Sequence, residues 1–99
     1  MNITIQAVGF SASERLQNFI QKKANKLDQY FEKIVNAEVK LRLEKSDTLE
    51  NKITEISLNV PGNDLFAKKN AKTFEESVDL TIEALKKQVV RYKERIREK

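Results

Sequence analysis

The chain begins with apolar and polar residues in alternation: Ile3, Ile5 and Ala7 against Thr4 and Gln6. A period of two predicts a short strand with one buried face, and Gly9 breaks the run. From Leu16 the period lengthens. Phe19, Ile20, Ala24, Leu27, Tyr30, Phe31 and Ile34 follow in steps of three and four, which predicts an amphipathic helix of about five turns. Ser11 or Ser13 can cap its start, and Ser11 with Glu14 fits a capping box. Alternation returns at Val39, Leu41 and Leu43. After the polar connection Ser46-Asp47-Thr48-Leu49-Glu50-Asn51 it resumes at Thr54, Ile56, Leu58 and Val60. Pro61-Gly62-Asn63-Asp64 is turn chemistry between two such runs, so Leu65, Ala67 and Lys69 continue as the return strand of a hairpin. Thr73 can cap a last helix whose apolar face is Phe74, Val78, Ile82, Leu85, Val89, Tyr92 and Ile96.

The element order is therefore β-α-β-β-β-α, an α+β fold. A right-handed crossover makes the first two strands a parallel pair, and hairpins add the rest, giving a four-stranded mixed sheet. Each helix carries one apolar stripe, so both are expected on one face of the sheet. The other face, with Thr4, Gln6, Glu38, Lys40, Arg42, Glu55 and Ser57, is expected to meet water. With no repeat, linker or low-complexity tract, residues 1–99 are expected to form a single domain.

Composition narrows the function. Apolar residues are 39% and charged residues 34% of the chain, a globular balance with a charged surface. There is no Cys and no His, which removes thiolate sites and disulfides, the commonest general base and the commonest metal ligand. Asp47, Glu50 and Glu55 lack the spacing of a metal loop, and Asp79 with Glu83 reads as a solvated helix face. No cofactor, no metal, no small-molecule substrate and no enzymatic activity are expected. No apolar run approaches the roughly 20 residues that span a bilayer, and the start of the chain lacks the pattern of a signal peptide, so a cytoplasmic protein without a membrane partner is expected. The net charge of +4 and pI of about 9.4 favour an anionic partner.

The placement of that charge says more than its sum. At about 100° per residue, Arg15, Lys22, Lys26 and Lys33 fall within roughly 40° of one another on one flank of the first helix, with Lys23 nearer the apolar edge. A solvated face explains this equally well. The last helix is polarised along its length: Glu75, Glu76, Asp79 and Glu83 come first, then Lys86, Lys87, Arg91, Lys93, Arg95, Arg97 and Lys99 against Glu94 and Glu98. The helix dipole favours this order, but it acts only in the end turns and contributes about 0.3–1 kcal/mol, too little to call for so many bases over four turns. Lys87, Arg91 and Arg95 form one ridge beside the apolar face, and Lys86, Lys93 and Arg97 form a second on its other side. Such rows suit successive phosphates. If both helices share a sheet face, the row Lys87, Arg91 and Arg95 and the row Arg15, Lys22, Lys26 and Lys33 could together form a two-row clamp on folded RNA; whether those flanks face each other depends on helix order and tilt, which sequence does not fix. Phe66 is the one aromatic that alternation places on the open sheet face, whereas a sheet that stacks bases needs two or three. Recognition through phosphates and the helices follows.

The chain resembles the ribosome hibernation-promoting factors, also called ribosome-associated inhibitors, over nearly its whole length. Lys26-Leu27-Asp28-Gln29-Tyr30-Phe31 is similar to the family's KLxxY segment. Phe74-Glu75-Glu76-Ser77-Val78-Asp79 is similar to its MYxAID helix start, and Leu85 to Lys93, LKKQVVRYK, to its LxRQLxKxK. The resemblance implies a fold related to double-stranded RNA-binding domains. It implies binding of the small ribosomal subunit and its rRNA, where messenger and transfer RNA sit, and inhibition of translation in slow growth. Carried over by position, the RNA-contacting residues would be Lys23, Lys26, Lys87, Arg91 and Arg95, with Lys86 and Lys93 beside them. Thr73 stands where Asp is usual, Glu75 and Glu76 replace small residues, Ala84 stands where relatives often have Lys, and Lys69 holds an inward strand position that is usually small. Because the chain stops after the second helix, it is similar to the short form, which some bacteria pair with a separate ribosome modulation factor. Two other readings stay open: a generic structured-RNA-binding adaptor, and an interaction domain whose basic face meets an acidic protein.

Overall fold

A computed structural model describes residues 1–45 and 49–97; Ser46, Asp47, Thr48, Glu98 and Lys99 of the sequence reading lie outside the described residues. The elements are β1 (Asn2–Ala7), α1 (Glu14–Asn25), a 3₁₀ turn (Lys26–Gln29), β2 (Asn36–Leu43), β3 (Lys52–Val60), β4 (Asn63–Ala71) and α2 (Phe74–Arg97). The sheet runs β1-β2-β3-β4. β1 is parallel to β2, with Asn2 beside Asn36, and the other neighbours are antiparallel. One core takes Leu16, Ile20 and Ala24 from α1 and Val78, Ile82, Leu85 and Val89 from α2. It joins them to Ala37, Val39, Leu41, Ile56, Leu58, Leu65 and Ala67 of the sheet. Those strand residues share one parity, so both helices cover the same sheet face.

The first helix is shorter than its periodicity predicts. α1 has 12 residues, about 18 Å at the α-helical rise. That matches the roughly 20 Å of the six-residue β1, which the crossover must retrace for β2 to start beside the start of β1. Continued as α-helix to Ile34, it would overshoot by about 13 Å. Instead the chain tightens, with both Tyr30 and Phe31 N–H groups donating to the Leu27 carbonyl, and Leu27, Phe31 and Ile34 still reach the core. Ser13 supplies the N-cap, its hydroxyl accepting the Leu16 N–H at 3.1 Å. The cap lies two residues past Ser11, and Glu14 opens the helix, so the capping box does not form.

α2 is capped as the sequence predicts, Thr73 Oγ1 accepting the Glu76 N–H at 3.1 Å. Its buried face also contains Ser77 and Thr81, which apolar periodicity passes over. Thr54 Oγ1 and Ser77 Oγ lie 2.6 Å apart, and Thr81 Oγ1 donates to the Ser77 carbonyl at 2.7 Å. These small hydroxylic side chains bring α2 close to β3 with their polar atoms satisfied. Two apolar positions fall outside the core: Leu43, the last residue of β2, is 46% exposed, and Ile96, next to the last residue of α2, is 40% exposed. Lys69 has inward parity but sits exposed near the end of edge strand β4. Pro61 and Gly62 make the β3–β4 turn between the paired residues Val60 and Asn63. Gly62 takes φ +78°, the value a Pro-Gly turn needs at its second residue. The tyrosine hydroxyl of Tyr92 donates to the Pro61 carbonyl, tying α2 to this turn.

Candidate nucleic-acid interface

α1 and α2 lie side by side and run in the same direction. Phe10, just before α1, stacks on Phe74 at the start of α2, with ring centroids 5.0 Å apart. Further along, Lys23 Nζ meets Asp79 Oδ1 at 3.2 Å. Beyond α1, Lys86 Nζ lies 5.0 Å from the centroid of the Tyr30 ring. Each later residue of the first helical segment meets a later residue of α2.

These contacts assign the flanks of α2. Lys86, Lys93 and Arg97 face the α1 side. Lys93 and Arg97 line a groove there with Lys33, Tyr30 and Ile96. The row Lys87, Arg91 and Arg95 lies on the other flank, where Arg91 and Arg95 line a groove with Asn63 and Leu65 of the β3–β4 hairpin. The row Lys87, Arg91 and Arg95 therefore does not oppose the basic flank of α1, and the two-row clamp is not formed by those residues. The row Arg15, Lys22, Lys26 and Lys33 is also broken: α1 ends at Asn25, Lys26 opens the 3₁₀ turn, and Lys33 lies beyond it.

The seven basic residues singled out by sequence are not equivalent. Lys23 is half-buried, paired with Asp79 and 5.5 Å from the Phe19 ring centroid. Lys86 covers Tyr30. The neighbouring Tyr30 side chain, and after it Glu83, raises the pKa of Lys86 above the ordinary lysine value. Lys26, Lys87, Arg91 and Arg95 are exposed and Lys93 partly so. None of these five is in a salt bridge among the described residues. Lys87 and Arg91 share a shallow groove with Val90 and Glu94, and Lys86 lines its edge toward α1. Asn63 and Gln88, which sequence reasoning did not single out, share the hairpin-side groove with two arginines. Their only signal in the sequence is position: Asn63 in the turn, Gln88 one residue from the basic row.

The open sheet face differs in character. Arg42 Nε and Glu55 Oε2 pair across β2 and β3 at 2.6 Å. Thr4, Gln6, Glu38, Lys40, Glu55, Ser57 and Phe66 share one shallow cavity of mixed sign. No group of three or more His, Cys, Asp or Glu that could hold a metal ion occurs among the described residues, and no helix there is long and apolar enough to cross a membrane.

Residues 3–97 match the family described as Sigma 54 modulation protein / S30EA ribosomal protein. The chain belongs to this family. Among curated relatives, the ribosome hibernation promoting factor of Salmonella typhimurium is 29% identical over 98 residues, covering 99% of both chains. The factor of the same name from Escherichia coli K12 is 26% identical over 98 residues, again covering 99% of each. Among solved structures, a ribosomal subunit interface protein from Coxiella burnetii superposes with a TM-score of 0.85 at 24% identity, over 94% of this chain and 98% of that one. The N-terminal domain of Thermus thermophilus Protein Y gives a TM-score of 0.81 at 22% identity, over 93% and 99%. These two likenesses bear on the fold, a four-stranded mixed sheet with two helices.

Proposed function

We propose that this protein is a ribosome hibernation factor. It binds the small ribosomal subunit through rRNA phosphates in the channel that messenger and transfer RNA use, and inhibits translation by occupying that space. The observation that carries this reading is the exposed ridge Lys87, Arg91 and Arg95 on a 24-residue helix, unengaged by any salt bridge among the described residues. Its membership in the S30EA family and its relatives named for ribosome hibernation support the same reading. Lys26 and Lys93 extend the contact, and Lys23 and Lys86 flank it from the seam between the helices. The domain is residues 1–99, acting in the cytoplasm, and its element order is akin to that of double-stranded RNA-binding domains. The chain has no His and no Cys, and the inhibition proposed is stoichiometric, by occupancy.

Sedimentation with purified ribosomes, separated subunits and naked duplex RNA tests the proposal. Co-sedimentation with the small subunit, and much weaker binding to naked duplex, is the expected result. Equal binding to duplex RNA would favour a generic structured-RNA adaptor. No salt-sensitive binding to either would overturn the reading.

A further inference from the structure

On the hairpin side of α2 lies a groove of about 360 Å³ lined by Asn63, Leu65, Gln88, Arg91, Tyr92 and Arg95. We propose that this groove seats one backbone phosphate of the bound RNA, with Arg91 and Arg95 supplying charge and the Asn63 amide a neutral hydrogen bond. The proposal rests on the ribosome-binding reading and deepens it: part of the contact is made by the β3–β4 turn as well as by the helices.

Three observations carry it. First, the groove is held in shape. The Tyr92 hydroxyl donates to the Pro61 carbonyl, and Gln88 Nε2 donates to the Phe66 carbonyl at 2.8 Å, so the turn is fastened to the helix that bears the arginines. A site fixed beforehand loses less entropy on binding. Second, no carboxylate lines the groove. Asp64, the nearest in sequence to Asn63, is on the opposite sheet face, where the Asn59 side-chain amide donates to its Oδ1 at 2.8 Å; Glu94 lines the separate groove with Lys86 and Lys87. Third, the polar groups suit a phosphodiester. Two guanidiniums one helical turn apart offer paired donors to phosphate oxygens. Asn63 has inward parity, is exposed, and its side chain has no hydrogen-bond partner among the described residues. The space holds a phosphate and its ester oxygens.

The test is the affinity of wild type, Asn63→Ala, Asn63→Asp and Asn18→Ala for purified small ribosomal subunits across a salt series, with circular dichroism confirming folding. Asn18 is exposed on α1, and its variant should bind as wild type does. Asn63→Ala should bind about tenfold more weakly, the size expected of one hydrogen bond to a charged group. Its salt dependence should be unchanged, because an amide releases no counterion. Asn63→Asp, which places an anion in the seat, should bind more weakly still. Wild-type binding with both Asn63 variants equal to wild type would overturn the groove and leave the ribosome reading standing. Wild type that does not bind would overturn the ribosome reading itself. Polyglutamate competing as well as duplex RNA of equal charge would show a generic anion site and overturn the phosphodiester assignment.

Discussion

Salt dependence is the most quantitative consequence of the proposed interface. Of its seven basic residues, Lys23 is engaged by Asp79 and Lys86 by Tyr30, which leaves Lys26, Lys87, Arg91, Lys93 and Arg95 to meet phosphates. Each phosphate neutralised contributes about 0.7 (single strand) to 0.9 (duplex) to the slope of log affinity against log salt, through counterion release. Five contacts therefore predict a slope of roughly −3.5 to −4.5. Raising monovalent salt from about 50 to about 200 mM should weaken ribosome binding by roughly 130- to 500-fold. Fluorescence anisotropy of labelled protein titrated with ribosomes at several salt concentrations gives the slope directly. Arg91→Gln should then reduce its magnitude by about 0.7–0.9. A slope near zero, or an Arg91→Gln variant that binds more weakly with the slope unchanged, would refute a phosphate contact at this ridge.

Other consequences concern the scaffold. Leu27, in the 3₁₀ turn that follows α1, is buried in the core, and Leu27→Ala should cost roughly 2–5 kcal/mol in urea unfolding; a change within about 0.5 kcal/mol would mean that it is not a core residue. Ser77→Ala leaves the buried Thr54 hydroxyl without its partner and should cost about 1–3 kcal/mol, whereas Ser77→Ala combined with Thr54→Val should cost less than the sum of the two. Tyr30 raises the Lys86 pKa above its unfolded value, so this contact stabilises the fold fully below that value and is lost as pH rises through the folded one. The melting-temperature difference between wild type and Tyr30→Leu should stay constant from about pH 6 to 9 and narrow only above about 10.5, the ordinary lysine value; a difference that titrates near neutrality would contradict it.

Much of this architecture can be read from the sequence, because alternation and helical spacing report which residues must leave water. Those patterns place Ile3, Ile5, Val39, Ile56, Leu58, Leu65 and the α2 stripe from Phe74 to Tyr92 correctly, and the chemistry of Pro61 and Gly62 places the turn. Spacing fails where several backbones satisfy it. Leu27, Phe31 and Ile34 are buried whether the chain is helix or a tightened turn, so only the length of β1 reveals that α1 ends at Asn25. Ser77 and Thr81 escape because a hydroxyl joins the core when β3 offers it a hydrogen bond, a fact of tertiary structure. The same limit applies to the interface. Charge placement groups Lys87, Arg91 and Arg95 into one row, yet which flank of α2 faces α1 depends on packing. So do the engagement of Lys23 by Asp79 and the approach of Asn63 to the arginines.

The central claim is inhibition by occupancy of the ribosome through the exposed ridge of α2. A Lys87→Glu, Arg91→Glu, Arg95→Glu triple variant, titrated beside wild type into a cell-free translation system, tests it most directly, with sedimentation to ribosomes and circular dichroism on the same samples. All three positions are exposed, so the variant should fold as wild type does. It should lose ribosome binding and inhibition together, while wild type inhibits in proportion to the ribosomes present and is relieved by dilution. A variant that folds and still inhibits, or wild type that silences many ribosomes per molecule, would contradict the account.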